Sequence, residues 1–260
     1  MVTVWIGGGT GSGKTTLTRI LAGRHGLRVF PLDAFWHSHE ARLPEPERSP
    51  DDQWLGLTPV EQAAEFEALA RKRWPLVLAD LAALPASPPV VVEGPQVLPD
   101  LVPDGDAAVF LVSTAPFQRS VLERRPLPPT ADAHRALENR IEKDRRYGER
   151  VAALAAARGF PVVTVDGTLP VEEILAAVEG VLPGIVGLDV EPADLRAARR
   201  WENGVVADNI RTWLGTAHVP PVAPTGYPFA CECGARGCDA QVVLPLASYE
   251  AATRLVAPGH

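Results

Sequence analysis

The adjacent pair Lys14-Thr15 closes a run, Gly8-Gly9-Thr10-Gly11-Ser12-Gly13-Lys14-Thr15, that fits the spacing G-x-x-x-x-G-K-[ST] at every position. That spacing has a mechanical meaning. Glycines at 8, 11 and 13 let the backbone curl until successive N–H groups point at one anion, and a helix starting there adds its positive N-terminal end. The lysine then reaches the β- and γ-phosphates of a nucleotide, and the threonine hydroxyl takes a coordination position on Mg²⁺. The run implies a nucleoside triphosphate held by Gly8, Gly9, Thr10, Gly11, Ser12, Gly13, Lys14, Thr15 and Thr16.

Two carboxylates fall where such a site would use them. Asp33, in Leu32-Asp33-Ala34-Phe35-Trp36, can take the proton of an attacking hydroxyl, with Phe35 and Trp36 as an aromatic wall for an organic acceptor. The same aspartate also suits a turn or a helix N-cap. Glu93 follows the apolar run Val90-Val91-Val92, and Gly94-Pro95 bends the chain at once. An acid at that place holds Mg²⁺, directly or through water. Phosphoryl transfer also needs cations above the moving charge, carried on a lid. Arg140, Lys143, Arg145 and Arg146 crowd one helical stretch and offer them, although each alone equally suits a solvated helix face.

These groups need a frame, and the chain supplies one. Strand and helix signals alternate from residue 1 to about 182, as a parallel sheet with crossover helices requires. Five strands are expected: Val2–Ile6, Arg28–Leu32, Val90–Val92, Ala107–Val112 and Pro161–Val165. The segment Ser38 to Leu57 is too irregular for one element. Thr58-Pro59-Val60-Glu61 is a capping box that starts a helix. A long helical region covers Ala131 to Ala157, and a closing helix Val171 to Leu182. In a parallel sheet ligands collect at the carboxyl ends of the strands, which is where the glycine run, Asp33 and Glu93 all fall.

Composition changes after Pro183. Pro192 to Leu214 reads as a loosely amphipathic helix with Leu195, Val206 and Trp213 near one face, flanked by Val205 and Ile210. Val219-Pro220-Pro221-Val222-Ala223-Pro224 reads as a stiff connector. Every cysteine of the chain then falls within eight residues, Cys231-Glu232-Cys233-Gly234-Ala235-Arg236-Gly237-Cys238. Three thiols leave one unpaired in any disulfide scheme, whereas three thiolates so close suit a tetrahedral Zn²⁺. The fourth ligand is His260 or His218; the other reading is a set of reduced, metal-free cysteines. The expected organisation is residues 1–182 as a nucleotide-binding unit, with a lid at about 116–157, and 183–260 as a helix plus a small zinc-binding module.

A net charge of −7 with 25 Lys+Arg against 32 Asp+Glu argues against general nucleic-acid binding. No apolar run approaches the ~20 residues needed to cross a bilayer, and no signal-peptide pattern opens the chain, so a cytoplasmic location is expected.

Residues 1–182 resemble the uridine kinase and phosphoribulokinase group of phosphate-loop kinases. The matching pieces are GGGTGSGKTT, Asp33-Ala34-Phe35-Trp36, Val91-Val92-Glu93-Gly94 and Asn139-Arg140-Ile141-Glu142-Lys143-Asp144. The last is similar to that group's R-R-I-x-R-D lid segment, with Asn139 and Lys143 in place of two arginines and with Arg140 and Asp144 kept. The resemblance implies an α/β phosphate-loop NTPase fold of three layers and an ATP-dependent transfer to the hydroxyl of a small molecule, nucleoside-like in character. It makes Lys14, Asp33 and Arg140 catalytic, gives the metal to Thr15 and Glu93, and sets Asp166 in a loop beside the adenine. The group builds its acceptor pocket between the second and third strands, so Asp33, Phe35, Trp36, Arg42 and Trp54 are the implied substrate contacts. A nucleoside-monophosphate kinase would need acceptor-side arginines, which Arg42 and Arg48 do not convincingly supply. The cysteine segment through Ala257-Pro258-Gly259-His260 resembles a small module of uncharacterised actinobacterial proteins, which suggests His260 as a zinc ligand beside Cys231, Cys233 and Cys238. A second function is compatible with the same residues: a nucleotide-dependent regulatory or scaffold ATPase whose zinc module engages a partner.

Overall fold

β1 (Thr3–Gly8) is buried on both faces from Val4 onward. A strand with no solvent face belongs in the interior of a sheet covered on both sides. In the computed structural model, which describes residues 2–43, 48–125, 127–182, 190–216, 218–219 and 224–260, β1 lies at the centre of five parallel strands. It pairs with β3 (Val90–Glu93) on one side and β4 (Ala107–Ser113) on the other; β2 (Arg28–Pro31) lies beyond β3 and β5 (Val162–Val165) beyond β4. The order β2-β3-β1-β4-β5 realises the expected five-stranded α/β fold.

Period-two alternation divides the core. Trp5, Phe30, Val92 and Phe110 face one layer, where α4 (Pro59–Ala82) and α6 (Ala133–Ala157) supply Trp74, Val77, Tyr147 and Val151. Val4, Ile6, Val91 and Leu111 face the other, against Leu17 and Leu21 of α1 (Lys14–His25) and Leu175 and Val178 of α7 (Val171–Val181). Register then sets the level of the site: Ile6 and Pro31 both lie opposite Glu93, so β1, β2 and β3 release their loops at one edge.

Local chemistry explains the connections. β2 ends at Pro31, and Asp33 sits in a 3₁₀ turn, Leu32–Phe35, rather than directly on the strand tip. The stretch expected to be irregular holds two short helices, α2 (Trp36–Arg42) and α3 (Pro50–Trp54), the latter started by a capping box of Ser49 with Asp52; residues 44–47 lie outside the described set. Thr58 and Glu61 cap α4 reciprocally, and Pro59 takes its first position. α5 (Ala115–Leu122) and α6 span the expected lid region.

α8 (Pro192–Trp213) differs from the sequence reading in the face it buries: Leu195 and Ile210 are covered, but so are Arg199, Glu202 and Asn203, while Val206 and Trp213 are only half-buried. The reason is hydrogen bonding. α8 packs along the sheet's outer strand, where Glu202 accepts from the Val29 N–H at 2.7 Å and from Arg199 at 2.7 Å. An edge strand leaves backbone donors unpaired, and a buried carboxylate satisfies one here. A hydropathy pattern assigns such a residue to solvent. Beyond α8, β6 (Tyr227–Ala230) and β7 (Gln241–Leu244) form an antiparallel hairpin followed by α9 (Leu246–Ala251), with Phe229 stacked on Tyr249 at 4.2 Å. Most of the proline-rich connector, and residues 183–189 at the expected boundary, lie outside the described residues. Among the described residues no helix is long and apolar enough to cross a membrane.

Candidate active site and metal cluster

Between β1 and α1 the backbone turns on glycines: φ is +124° at Gly8, +82° at Gly11 and +82° at Gly13. At Gly8 the requirement is absolute, because a Cβ would lie 1.9 Å from the Leu111 carbonyl oxygen. Gly13 is the N-cap of α1, and no side chain caps that end. The first amides of the helix therefore remain available to an anion. Lys14 folds back over the loop, donating to Gly9 O at 2.8 Å and Ser12 Oγ at 3.4 Å. Burial lowers its pKa, against the opposing pull of Glu93 and Asp33.

Glu93 is 3 % exposed at the tip of β3 and accepts from the Thr15 hydroxyl at 3.2 and 3.4 Å. Burial, and then the neighbouring Asp33 charge, push its pKa up to about 7. A buried carboxylate with this much unmet charge beside a threonine hydroxyl is a donor set that fits Mg²⁺. Asp33 keeps contact with solvent but is hemmed in by protein, which raises its pKa; Lys14, Arg73, Arg125 and Lys143 pull it back down. Lys14, Asp33 and Glu93 thus lie within electrostatic reach of one another at one edge of the sheet.

α6 closes over this edge. Gly9 and Gly148 pass close enough that a Cβ built on Gly9 would sit 3.6 Å from the Gly148 Cα. Thr10 Oγ1 donates to Asp144 at 3.4 Å, and Asp144 is paired with Lys143 at 2.8 Å. Three residues of α6 meet Trp54: Asn139 donates to its carbonyl at 2.8 Å, and Arg140 and Lys143 lie 5.8 and 6.0 Å from its ring centroid. Arg140 also donates to Arg125 O at 3.2 Å, and burial lowers its pKa.

Other expected residues are committed elsewhere. Phe35 stacks on Phe30 at 4.2 Å and packs near Trp201, so it belongs to the α8 contact rather than to a wall shared with Trp36. Arg42 donates to both Asp80 oxygens at 2.7 Å. Asp166 accepts from the Thr168 N–H and hydroxyl, closing its own turn on the surface. Arg145 and Arg146 pair with Glu142. Thr16 is exposed in the first turn of α1.

Two cations stand out that the sequence did not single out. Arg73 of α4 is 2 % exposed, lies 5.0 Å from the Trp36 ring and donates to Leu32 O at 3.2 Å, to Gln96 and to His39 Nδ1 at 3.1 Å. It braces the turn that carries Asp33, and burial takes its pKa down to about 10. Because arginine only donates, His39 Nδ1 accepts, so its Nε2–H donates to Asp80; burial lowers the His39 pKa, which keeps the ring neutral. Arg125, exposed just beyond α5, bears electrostatically on Lys14, Asp33 and Arg140. In an arginine-rich chain neither had a distinguishing spacing.

At the far end of the chain the cysteines are free thiols. Cys231, Cys233, Cys238 and His260 each bring one ligand atom into a group within 4.8 Å, a set that can bind zinc; His218 is not part of it.

No protein-family model and no curated protein matches the sequence. Among solved structures the chain is similar to a shikimate kinase from Acinetobacter baumannii in complex with shikimate (20 % identity, 72 % of this chain and 96 % of that one, TM-score 0.43). It is also similar to a shikimate kinase from Bacteroides thetaiotaomicron (17 %, 70 % and 98 %, 0.46) and a deoxyadenosine kinase from M. mycoides with bound dATP (13 %, 70 % and 100 %, 0.42). These neighbours are kinases, at similarities too low for an activity or an acceptor to pass from one chain to another.

Proposed function

We propose that the protein is an ATP-dependent phosphotransferase that moves the γ-phosphoryl group to a hydroxyl of a small molecule, a nucleoside or another ring-bearing alcohol. The observation that carries this reading is the meeting of Lys14, Glu93 and Asp33 at the edge where β1, β2 and β3 release their loops. The glycine loop and the uncapped start of α1 bind the phosphates. Thr15 and Glu93 would hold Mg²⁺, which would supply positive charge against the phosphates. Asp33 takes the proton as the acceptor oxygen attacks the γ-phosphorus; the bond to the bridging oxygen breaks and ADP leaves. Its raised pKa favours that step, because a base works best when its pKa lies nearer the operating pH. Arg140 and Arg125 would supply cations to the transferring group, Arg73 holds the Asp33 turn, and Trp54 would border the acceptor. Residues 1–182 act as the catalytic unit, with about 116–157 as its lid, in the cytoplasm.

Incubating the full chain with Mg²⁺-ATP and a panel of nucleosides, sugars and ring-bearing antibiotics tests the reading. A new phosphorylated product supports it. Slow hydrolysis indifferent to every acceptor overturns it in favour of a regulatory or scaffold ATPase, whose partner surface would be the C-terminal module.

A further inference from the structure

We infer that Cys231, Cys233, Cys238 and His260 hold one Zn²⁺, and that this ion is part of the scaffold of the nucleotide site: it pins the cysteine loop onto the end of α1 whose other end presents Lys14 and Thr15.

The donor set comes first. Four ligand atoms within 4.8 Å need only a small contraction to reach the ~3.8 Å edges of a tetrahedron with Zn–S bonds near 2.3 Å. Three sulfurs and an imidazole select a soft, tetrahedral ion over Mg²⁺ or Ca²⁺. A second observation points the same way. The Ala235 N–H donates to Cys233 Sγ and the Ala257 N–H to Cys231 Sγ, both at 3.3 Å. Backbone donors aimed at sulfur stabilise thiolates, the form a metal requires. The loop itself turns on Gly234 and Gly237, at φ +77° and +86°.

The loop is docked rather than appended. Gly237 N–H donates to Gly23 O at 2.7 Å, satisfying a carbonyl in the last turn of α1 that the helix itself leaves free. A Cβ on Gly23 would lie 2.8 Å from the Cys238 carbonyl oxygen. Glycine inside a helix is unfavourable relative to alanine, and this contact gives the position its reason. One turn earlier, Arg19 donates to Gln241 Oε1 of β7 at 2.8 Å. Among the described residues, then, the C-terminal half of the phosphate-binding helix rests on a loop whose shape depends on four residues, one of them at position 260, gathering around a single point.

The link to ATP rests on the phosphate loop binding nucleotide; zinc content and helix protection do not. The test measures all three on the full chain: zinc per chain by mass spectrometry, amide hydrogen exchange of α1 without nucleotide, and ATP affinity by titration. One zinc per chain is expected. Chelation or Cys233→Ser is expected to accelerate exchange in α1 and to weaken ATP binding about fivefold or more, the lower end of ordinary coupling between sites. Because loss of the ion can unfold the module outright, Gly23→Ala is the second variant: it keeps every ligand and favours the helix, but obstructs docking. It should retain zinc and still show the faster exchange and weaker binding. Absence of stoichiometric zinc, or α1 exchange unchanged both by chelation and by Gly23→Ala, overturns the inference. Altered exchange with no ATP binding in any form leaves the zinc clamp standing and sinks the nucleotide reading instead.

Discussion

Two loops at opposite ends of one helix use the same backbone device for opposite purposes. At the start of α1, Gly11 and Gly13 (φ +82°) curl the chain and leave the first amides of the helix without a side-chain cap; at its far end, Gly234 and Gly237 (+77° and +86°) curl another segment that gathers three thiols and an imidazole within 4.8 Å. Their surroundings differ. Near the phosphate loop the charges are ill at ease, with Glu93 pushed up to about 7 and Lys14 lowered. Near the cysteine loop the buried Glu232 is satisfied, accepting from Asn203 at 2.9 Å and from Leu255 N at 3.1 Å, with Arg200 at 3.4 Å. A region left with unmet charge is prepared for a ligand that arrives and leaves, whereas a region with its polar groups paired is prepared to stay as it is.

The sharpest way to break this contrast is at Lys14. On the proposed function, Lys14→Ala should lower turnover on the order of 10³-fold and weaken ATP binding, because the lost cation would face the moving phosphates. Steady-state rates with binding titrations check it. A variant that keeps near-normal turnover would leave the charge at that end without purpose. Asp33→Asn separates chemistry from binding. ATP affinity should hold within a few fold while phosphoryl transfer falls by roughly 10²–10⁴-fold, the range for loss of a general base. An Asp33→Asn enzyme of normal rate would reduce Asp33 to a turn residue.

How much of this could be read from the chain follows the same division. The glycine loop was legible because the chemistry proposed for it needs consecutive residues, so a single spacing carries the whole expectation. The five strands were legible because buried parallel strands are continuous apolar runs. Asp33 and Glu93 could be picked out because both close such runs. Arg73 and Arg125 could not: their relation to Asp33 is made by α4 and α5 arriving from elsewhere in the chain. The polar buried face of α8 was hidden for a similar reason, since only the Val29 N–H of β2 explains why Glu202 points inward. His260 was suggested by resemblance, and only the folded tail shows that it, and not His218, lies with the three cysteines.

A pH titration sharpens the charged end. The Glu93 pKa lies near 7 in the folded chain and near 4.5 in the unfolded one, so folding takes up a proton between those values. Stability should therefore fall as pH rises from about 4.5 to 7 and then level off, by roughly 3 kcal/mol from this group. Glu93→Gln should remove the Glu93 part of that slope in denaturant midpoints measured across the range, leaving the contribution of Asp33, whose shift has the same sign. If Glu93 serves the metal as proposed, Mg²⁺-ATP affinity should rise through the same interval and lose that rise in the variant. A slope that survives Glu93→Gln unchanged would mean the strain lies elsewhere.

The smallest effect is the most discriminating. Arg24 pairs with Glu172 at 2.8 Å and Glu179 at 3.2 Å, tying the end of α1 to α7, but its side chain is 42 % exposed and Glu172 69 %. Exposed pairs contribute under about 1 kcal/mol and fade with salt, and His25 remains bonded to Glu179 at 2.7 Å. Arg24→Ala should accordingly lower stability by less than about 1 kcal/mol and leave ATP affinity unchanged. Gly23→Ala, one position earlier, adds only a methyl group and favours the helix, yet it meets Cys238 O. If the cysteine loop holds the end of α1, the conservative change at 23 is felt at the phosphate loop and the charge deletion at 24 is not. The reverse result, an ATP site sensitive to Arg24 and blind to Gly23, would mean that α7, and not the cysteine loop, anchors the far end of the helix.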